Sequence, residues 1–298
     1  MMNGDALVFL AGGRALKTIR SQQIQPDDVK VVAGAAGGPK WLLLGQLDRA
    51  LFGTWFRERR HPLHLIGSSI GSWRFAAASR TDPVAAIDHM EEIYIHQAYT
   101  PKPTPREISE TLGAIIRQVL GAEGAREILS HPFNRLNLLA VRGRHLLASD
   151  QRLPLAIGLA AAITSNLLRR NWLRHFFQQT LFSDPRDRPP FSSIGLEPCA
   201  RLDLTPDNLV PALLASGSIP YLMEGVGQIP HAGGIYRDGG VVDYHLDIPF
   251  GLNGTGIVLF PHFSRRIIPG WFDKHLPWRQ PSADHQADTL LVAPSERF

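Results

Sequence analysis

A serine between two glycines carries the clearest chemical signal in the sequence. Gly67-Ser68-Ser69-Ile70-Gly71 follows the apolar run His64-Leu65-Ile66 and precedes a stretch from Trp73 to Ser79 that favours a helix. A nucleophile elbow needs a strand, a sharp turn and a helix in this order, with glycines where a Cβ would clash. Ser69 has glycines on both sides in this register and is therefore the candidate nucleophile. A Ser/Gly-rich loop without chemistry is the alternative.

A glycine-rich turn precedes this motif in the chain. Gly34-Ala35-Ala36-Gly37-Gly38-Pro39-Lys40 joins a β-rich run, Val29 to Ala33, to a predicted helix from Trp41 to Phe52. Pro39 and Trp41 stand where a phosphate-binding Walker loop needs Gly and Ser or Thr, so that motif is excluded. Free N–H groups at a helix N-terminus can hold an anion or a developing oxyanion. A tight connection between a strand and a helix is the alternative.

A third segment supplies a carboxylate much later in the chain. Arg237-Asp238-Gly239-Gly240-Val241 places Asp238 ahead of two glycines. An Asp-Gly pair between apolar residues is also a strong signal for a β-hairpin turn. Taken alone, this segment leaves both interpretations open.

The order of the three motifs resembles that of the patatin-like phospholipases, which have a glycine-rich turn, a strand–GxSxG–helix unit and a distant Asp-Gly-Gly. Ala215-Ser216-Gly217-Ser218-Ile219-Pro220 is similar to the small-residue segment that ends in proline ahead of the aspartate in that family. The likeness covers roughly residues 29–260. It implies a three-layer α/β/α fold with a central, mostly parallel sheet, and a single acyl hydrolase domain over residues 1–298.

The resemblance also implies roles for individual residues. Ser69 would be the nucleophile and Asp238 the general base, and Gly37 and Gly38 would donate backbone N–H groups to an oxyanion hole. Support of the loops or the substrate would come from Lys40, Gly239 and Gly240. The implied activity is that of a lipid acyl hydrolase, as a phospholipase A, a lysophospholipase or a carboxylesterase. No cofactor and no metal is expected.

Three positions depart from the family pattern. Ala36 stands where another glycine is usual, which narrows the expected oxyanion hole. Trp41 replaces a glycine and is expected to form a wall of the acyl pocket. Val242-Asp243-Tyr244-His245 lacks the asparagine that usually follows the Asp-Gly-Gly, so the local support of Asp238 is open.

A serine–aspartate pair makes specific physical demands. A solvated carboxylate is a weak base toward an alcohol, so the aspartate must be partly desolvated and the oxyanion well stabilised. A Ser-His-Asp esterase is an alternative, because His245, His262, His275 and His285 all follow Asp238. A non-catalytic lipid-binding protein on the same fold is another. His61/His64 and His89/His96 lack zinc-binding spacing.

Composition and charge set the remaining expectations. The net charge of +4 is too small to indicate a nucleic-acid partner, and none is expected. The single cysteine, Cys199, excludes a disulfide within the chain. Met1 to Asp5 lacks the basic region of a signal peptide, which favours the cytoplasm. The apolar stretch from Leu153 to Leu168 is shorter than the roughly 18 residues of a membrane span, so a buried or surface-docked helix is expected.

Two segments alternate basic and aromatic residues and could meet a bilayer peripherally. For Arg169 to Phe177, a helix that faces the core with solvated arginines is the preferred interpretation. Arg265 to Phe272 lies among prolines and glycines, so Trp271 and Phe272 are the candidates for membrane contact.

The periodicity predicts alternating strands and helices. Further strands are expected at Leu136–Val141, Gly256–Phe260 and Thr289–Ala293. Helices are expected within residues 84–120, interrupted by a loop at Pro101, Pro103 and Pro105, twice within residues 153–182, and at Asn208–Leu214.

Overall fold

The computed structural model describes residues 6–191, 194 and 198–297, and residues 1–5, on which the signal-peptide argument rests, lie outside them. Within the described residues, nine strands form one sheet. They are β1 (Leu7–Ala11), β2 (Val29–Gly34), β3 (Leu63–Ser68), β4 (Asn134–Gly143), β5 (Phe177–Ser183), β6 (Ala200–Asp203), β7 (Tyr236–Asp238), β8 (Ile257–Pro261) and β9 (Thr289–Pro294).

The sheet is mostly parallel. Its strand order is β1-β9-β8-β2-β3-β4-β5-β6, and β7 pairs with β4 beside this path. The pairs within β9-β8-β2-β3-β4 are all parallel, whereas β1 with β9, β4 with β5 and β4 with β7 are antiparallel. The predicted fold class, an α/β fold with a central and mostly parallel sheet, is therefore confirmed.

Eight α-helices flank this sheet in the described part of the chain. They are α1 (Gly13–Ser21), α2 (Gly45–Ala50), α3 (Ile70–Ala78), α4 (Pro83–Ile95), α5 (Pro105–Leu120), α6 (Gly124–Ser130), α7 (Arg152–Leu168) and α8 (Leu209–Gly217). Asp82 and Thr104 cap α4 and α5 by accepting backbone N–H groups, and a proline follows each cap. The predicted break between these two helices is confirmed at Pro101 and Pro103, whereas Pro105 is the first residue of α5.

Side chains of the central strands alternate between the two faces of the sheet. Val32 and Leu65 pack into the larger core cluster beneath α3, α4, α5 and α8. Val31 and Ile66 belong to a second cluster with Phe191. This period of two leaves the strands buried on both faces, as expected of a covered parallel sheet.

The second helix predicted within residues 153–182 is wrong. Arg170–His175 forms a short 3₁₀ turn, and Phe177–Ser183 is the strand β5, which lies between β4 and β6. Aromatic and β-branched side chains favour strands, and neighbouring strands on both sides satisfy the backbone of this segment. The rings of Phe177 and Phe182 are completely buried.

The predicted helix from Trp41 to Phe52 is only partly regular. A 3₁₀ segment, Gly38–Leu44, leads into α2, and a π-helical turn, Leu51–Trp55, ends it. Leu43 in this segment is exposed, although Leu42 and Leu47 pack against the core. A 3₁₀ segment has three residues per turn, so the apolar side chains here do not form the single stripe of a regular α-helix.

Candidate active site

Ser69 lies on a sharp turn between β3 and α3. Its backbone has φ 55° and ψ −129°, a conformation that residues other than glycine rarely adopt. A Cβ on Gly67 would clash with the backbone of Ser72, and a Cβ on Gly71 would clash with the backbone of Gly34. The predicted reason for both glycines is therefore confirmed, and the strained turn has the geometry of a nucleophile elbow.

We expect Gly71→Ala to lower the free energy of unfolding by about 1–3 kcal/mol or more. The added methyl group would meet the backbone of Gly34, which cannot rotate away as a side chain can. Gly13→Ala is the matched control, since a Cβ at Gly13 meets nothing within 4 Å. Urea denaturation of the two variants measures the difference. Equal stability would show that the close approach of β2 to α3 is not what requires glycine.

The Ser69 hydroxyl contacts the Asp238 carboxylate directly. Ser69 Oγ donates to Asp238 Oδ2 over 2.8 Å, and both side chains are buried. Asp238 ends β7, whose pairing with β4 sets it opposite Ala140. The structure therefore brings these two predicted site residues together, although 169 positions separate them in the sequence.

The glycines after Asp238 shape its surroundings. The Gly240 N–H donates to Asp238 Oδ1 over 2.7 Å, so the two carboxylate oxygens have different partners. A Cβ on Gly239 would clash with the Leu139 carbonyl on β4. Gly239–Val241 forms a 3₁₀ turn, so the β-hairpin alternative is wrong. Gly240 supplies the local support that the missing asparagine left open.

Burial raises the pKa of Asp238 to about 6, because an ionised carboxylate loses solvation there. The Ser69 hydroxyl, the Gly240 N–H and the charge of Lys274 each lower this pKa by smaller amounts. A carboxylate whose pKa lies near neutrality is a stronger base than a solvated one and stays ionised at pH 7.

Ser216 supports the elbow in a way that the sequence did not reveal. Its Oγ accepts the Ser69 N–H over 3.0 Å and donates to the Leu139 carbonyl over 2.6 Å, and it lies 2.9 Å from Ser72 Oγ. Two residues on, the Ser218 carbonyl accepts the Asp238 N–H over 2.9 Å. The segment from Ala215 to Pro220 therefore holds the backbone of Ser69 through Ser216 and the backbone of Asp238 through Ser218. The sequence identifies this segment only through the family resemblance.

Gly37 and Gly38 border the same cavity as Ser69 and Asp238. Gly38 has φ 56°, the left-handed region that favours glycine, and a Cβ on Gly37 would clash with the Phe263 ring. Among the described residues, neither glycine donates its N–H to a backbone or side-chain acceptor. Ala36 is tied down separately, since its N–H donates to the Tyr244 carbonyl over 2.9 Å.

Lys40 and Trp41, further along this loop, do not line the cavity. Trp41 is buried in the core, where its ring packs edge-to-face on Tyr94 at 5.7 Å, so the expectation of an acyl-pocket wall is wrong. The bulk that replaces glycine fills the space beneath α4 instead. Lys40 is exposed, and its ammonium lies 5.1 Å from the Phe263 ring centroid.

A cavity of about 170 Å³ opens over the polar groups. Beyond the residues already described, its walls are formed mainly by apolar side chains of Ile219, Pro220, Val241, Tyr244 and Trp271, and by Lys274. An apolar pocket with a few convergent polar groups is the usual form of a small-molecule site. The hydrocarbon chain of an acyl group would match these apolar walls.

Residues 34–245 match the family model described as Patatin-like phospholipase. The chain belongs to the patatin-like phospholipase family. The match includes Ser69, Asp238 and the glycine-rich turn. A search of curated proteins found no match.

Lys274 and Trp271 lie beyond the part of the chain that matches the patatin-like family. Both come from a loop anchored by the buried Asp273, which accepts from Arg170 over 2.8 Å, Asn166 over 2.7 Å and the Gly270 N–H over 3.0 Å. Trp271 was noted in the sequence only as a membrane candidate, and Lys274 was missed. No local pattern marks Lys274, because its place over the cavity depends on these tertiary contacts.

The late histidines occupy other positions in this patatin-like chain. In the described part of the chain, no histidine lines the cavity or hydrogen-bonds Ser69 or Asp238. His245 Nδ1 accepts the Ile268 N–H over 3.0 Å, and burial lowers its pKa to about 2. His262 lies against His245, and burial lowers its pKa to about 4. Both rings are neutral at pH 7 and act as packing groups behind Tyr244.

Proposed function

We propose that this patatin-like protein hydrolyses carboxylic esters of lipids through an acyl-Ser69 intermediate, with Asp238 as the sole general base. The observation that carries the proposal is the 2.8 Å hydrogen bond from Ser69 Oγ to a buried carboxylate. A nucleophile and a base within hydrogen-bond reach are the minimum needed for acyl transfer. Residues 1–298 would act as one hydrolase domain, a view supported by the continuous sheet from β1 to β9.

Acylation would begin as Ser69 Oγ attacks the ester carbonyl carbon and Asp238 Oδ2 takes the hydroxyl proton. The carbonyl oxygen gains negative charge, which the N–H groups of Gly37 and Gly38 would stabilise. As the tetrahedral intermediate collapses, the bond to the leaving oxygen breaks and Asp238 returns the proton to that oxygen. An alcohol leaves and the acyl group remains on Ser69.

Deacylation would repeat these steps with water. Asp238 takes a proton from the water as its oxygen attacks the acyl carbon. Ser69 Oγ then leaves and recovers the proton from Asp238, which releases a carboxylic acid. The strained backbone of Ser69 and its N–H bond to Ser216 keep Oγ directed at the cavity throughout.

Direct contact between Ser69 and Asp238 favours this two-residue mechanism over a Ser-His-Asp triad, in which an imidazole would lie between them. The raised pKa of Asp238 also favours catalysis over simple lipid binding, since a binding protein does not need a desolvated carboxylate beside a strained serine. The structural cost of both features is consistent with a chemical role.

The cavity suggests how a lipid would fit. At about 170 Å³ it is similar in size to a cavity of about 150 Å³ that binds benzene, which is enough for the ester and the first carbons of an acyl chain. Ile219 and Pro220 continue into the exposed Tyr221 and Leu222, along which a longer chain could extend. Phospholipase A, lysophospholipase and carboxylesterase activities all fit this shape.

A peripheral contact with the lipid surface is supported for one of the two aromatic candidates. Trp271 is exposed at the rim of the cavity. Phe272 is partly buried and packs on Phe177, with ring centroids 6.5 Å apart. Within the described residues, no helix is long and apolar enough to cross a bilayer. Membrane contact at this loop would therefore rest on Trp271.

The pH profile tests the role of Asp238. Only the ionised carboxylate can accept the proton, so we expect kcat/KM to be lost as pH falls through about 6 and to level off above it. The fold itself also loses stability at acid pH, because His245 and His262 are buried as neutral rings. Their pKa values in the folded protein lie below the unfolded value of 6.5, so the unfolded state binds more protons and is favoured as pH falls below about 6.5. Circular dichroism at each pH separates inactivation from unfolding.

Release of fatty acid from lipids tests the proposal as a whole. The purified protein would be incubated with phospholipid, lysophospholipid and a soluble short-chain ester, and the products identified by mass spectrometry. We expect free acid from at least one of the three. Binding of these lipids without any acid release would support the lipid-binding alternative instead.

A further inference from the structure

Of the residues that the structure describes, Lys274 is the one lysine or arginine that lines the cavity, and it lies outside the part of the chain that matches the family. It lines the same cavity as Ser69 and Asp238. Its ammonium lies 4.2 Å from the Tyr244 ring centroid and 5.1 Å from that of Trp271, so aromatic faces hold it on two sides. Among the described residues, no carboxylate forms an ion pair with it. Aromatic faces stabilise the cation and leave its N–H donors for another acceptor.

The loop that presents Lys274 is held in place. Asp273, the preceding residue, is completely buried among Arg170, Asn166 and the Gly270 N–H. An ammonium fixed in this way loses less side-chain entropy on binding than one on a free loop. Burial, followed by repulsion from Lys40, lowers the pKa of Lys274, and an anion in the cavity would offset both effects.

We propose that Lys274 forms an anion subsite that selects esters with a phosphate or carboxylate group a few atoms from the scissile carbonyl. The inference rests on the proposed function and names its substrate class. The short distance follows from the cavity, since about 170 Å³ contains both Lys274 and the proposed nucleophile. A neutral ester would use the same acyl walls and leave the ammonium without an anion.

The test compares monobutyrylglycerol with butyryl glycerol phosphate, which differ only in the anion. On the alkaline plateau of the pH profile, Lys274→Met should lower kcat/KM for the phosphate ester by about 10- to 100-fold, as expected for a hydrogen bond to a charged group. The neutral ester should lose much less on this plateau, where Asp238 is ionised, so the ratio of the two kcat/KM values measures the selectivity. Lys274→Arg should restore much of the selectivity, and Lys17→Met on α1 is the exposed control.

Three results would overturn the inference. Equal losses on both esters would make Lys274 a support for the loop. A shift of the pH inflection for both esters, with unchanged selectivity on the plateau, would mean that it acts only through the pKa of Asp238. Inhibition of monobutyrylglycerol hydrolysis by inorganic phosphate, without selectivity between the esters, would indicate a site for free phosphate. Absence of hydrolysis in the unmodified protein would instead reject the proposed function.

A separate observation concerns the outer face of α7. This face is defined by exposed residues that share one side of the helix: Leu153, Ile157, Ile163, Leu167 and Leu168. Leu153 and Leu168 are each 71% exposed. The opposite side, which faces the protein, packs Leu155, Gly158, Leu159 and Ala162 against the core. The helix is therefore apolar on its outer side as well as on its buried side, whereas an ordinary surface helix is polar on the outside.

The charges around α7 favour one kind of partner. Residues 151–183 contain no Asp or Glu, whereas three exposed arginines lie at or just beyond the ends of α7 in the chain: Arg152, Arg169 and Arg174. Two exposed tryptophans flank the helix. Trp172 follows α7 in the chain, and Trp278 precedes Arg279, which donates to the Asn166 carbonyl of α7 over 2.5 Å. An apolar face with basic and tryptophan flanks is typical of a helix that lies in a bilayer interface.

We infer that the outer face of α7 docks on an anionic lipid surface. Asn166, on the buried side of α7, donates to Asp273, which anchors the loop with Trp271 and Lys274, so the helix and this loop are packed together. The inference extends the proposed membrane contact from one side chain to a whole helix. It concerns binding and can be measured in protein that lacks the nucleophile.

Vesicle sedimentation tests this docking in the Ser69→Ala background. We expect binding to vesicles of phosphatidylcholine with phosphatidylserine, weaker binding to phosphatidylcholine alone, and loss of both in Ile157→Glu. Phe9→Glu, at an exposed position on the edge strand β1, should bind normally. Normal vesicle binding by Ile157→Glu would overturn the inference. So would a dimer in analytical ultracentrifugation that this change dissociates, because a second copy would then cover the face.

Discussion

Ser69→Ala should abolish ester hydrolysis, with kcat falling by at least about 10³-fold, because loss of a catalytic nucleophile removes the covalent route. The side chain contributes one hydroxyl group to the buried network, while the Ser69 N–H bond to Ser216 belongs to the backbone and remains. The fold should therefore survive. Steady-state kinetics on a soluble short-chain ester, together with a thermal melt, measures both effects.

Ser72→Ala is a matched control for this variant. Ser72 is buried on α3 and its Oγ lies 2.9 Å from Ser216 Oγ, but it does not line the cavity. It should retain most of the activity. Full activity in Ser69→Ala would place the nucleophile at another residue and leave the elbow with a purely structural role.

Asp238→Asn should reduce kcat/KM by about 10²- to 10⁴-fold, the range expected for loss of a general base. The amide is nearly isosteric with the carboxylate but cannot take the Ser69 proton. The residual activity should no longer decline through the inflection near pH 6, because the group that titrates there is gone. A pH series of initial rates on the variant and the unmodified protein provides the measurement.

Asp243→Asn controls for the loss of a buried carboxylate. Burial raises the pKa of Asp243 to about 6 as well, but this residue binds Arg170 and Gln179 and does not contact Ser69. It should keep the inflection near pH 6. His275→Ala and His285→Ala should keep most of the activity. A histidine variant that folds and is as inactive as Ser69→Ala would establish the triad in place of the two-residue mechanism.

The sequence predicted the part of the site that local motifs determine. The local pattern singles out Ser69, because glycines at set offsets mark a sharp turn after a strand. Asp238 follows only from the resemblance to the patatin-like family, because its Asp-Gly-Gly segment alone fits a hairpin turn as well. Ser216 and Lys274 were missed as contributors because their contacts with the site depend on how distant segments pack. Neither has a distinctive neighbour pattern, so only the folded arrangement reveals them.

Long-range packing also explains where the secondary structure differs from the local pattern. The sequence favours a solvated helical position for Arg170, yet this side chain lies between the buried carboxylates of Asp243 and Asp273. The following segment became β5 because open edges of β4 and β6 were available to it. Trp41 was placed at the cavity from its position in a motif, but its large ring is accommodated in the core. Long-range packing outweighed local pattern in each case.

Covalent labelling with a fluorophosphonate probe, followed by peptide mass spectrometry, tests most directly whether Asp238 activates Ser69. The account predicts one adduct on Ser69 in the unmodified protein, with labelling that slows as pH falls through about 6. Labelling should be nearly lost in Asp238→Asn and retained in His275→Ala and His285→Ala. An adduct on a different serine, or unchanged labelling of Ser69 in Asp238→Asn, would contradict the account.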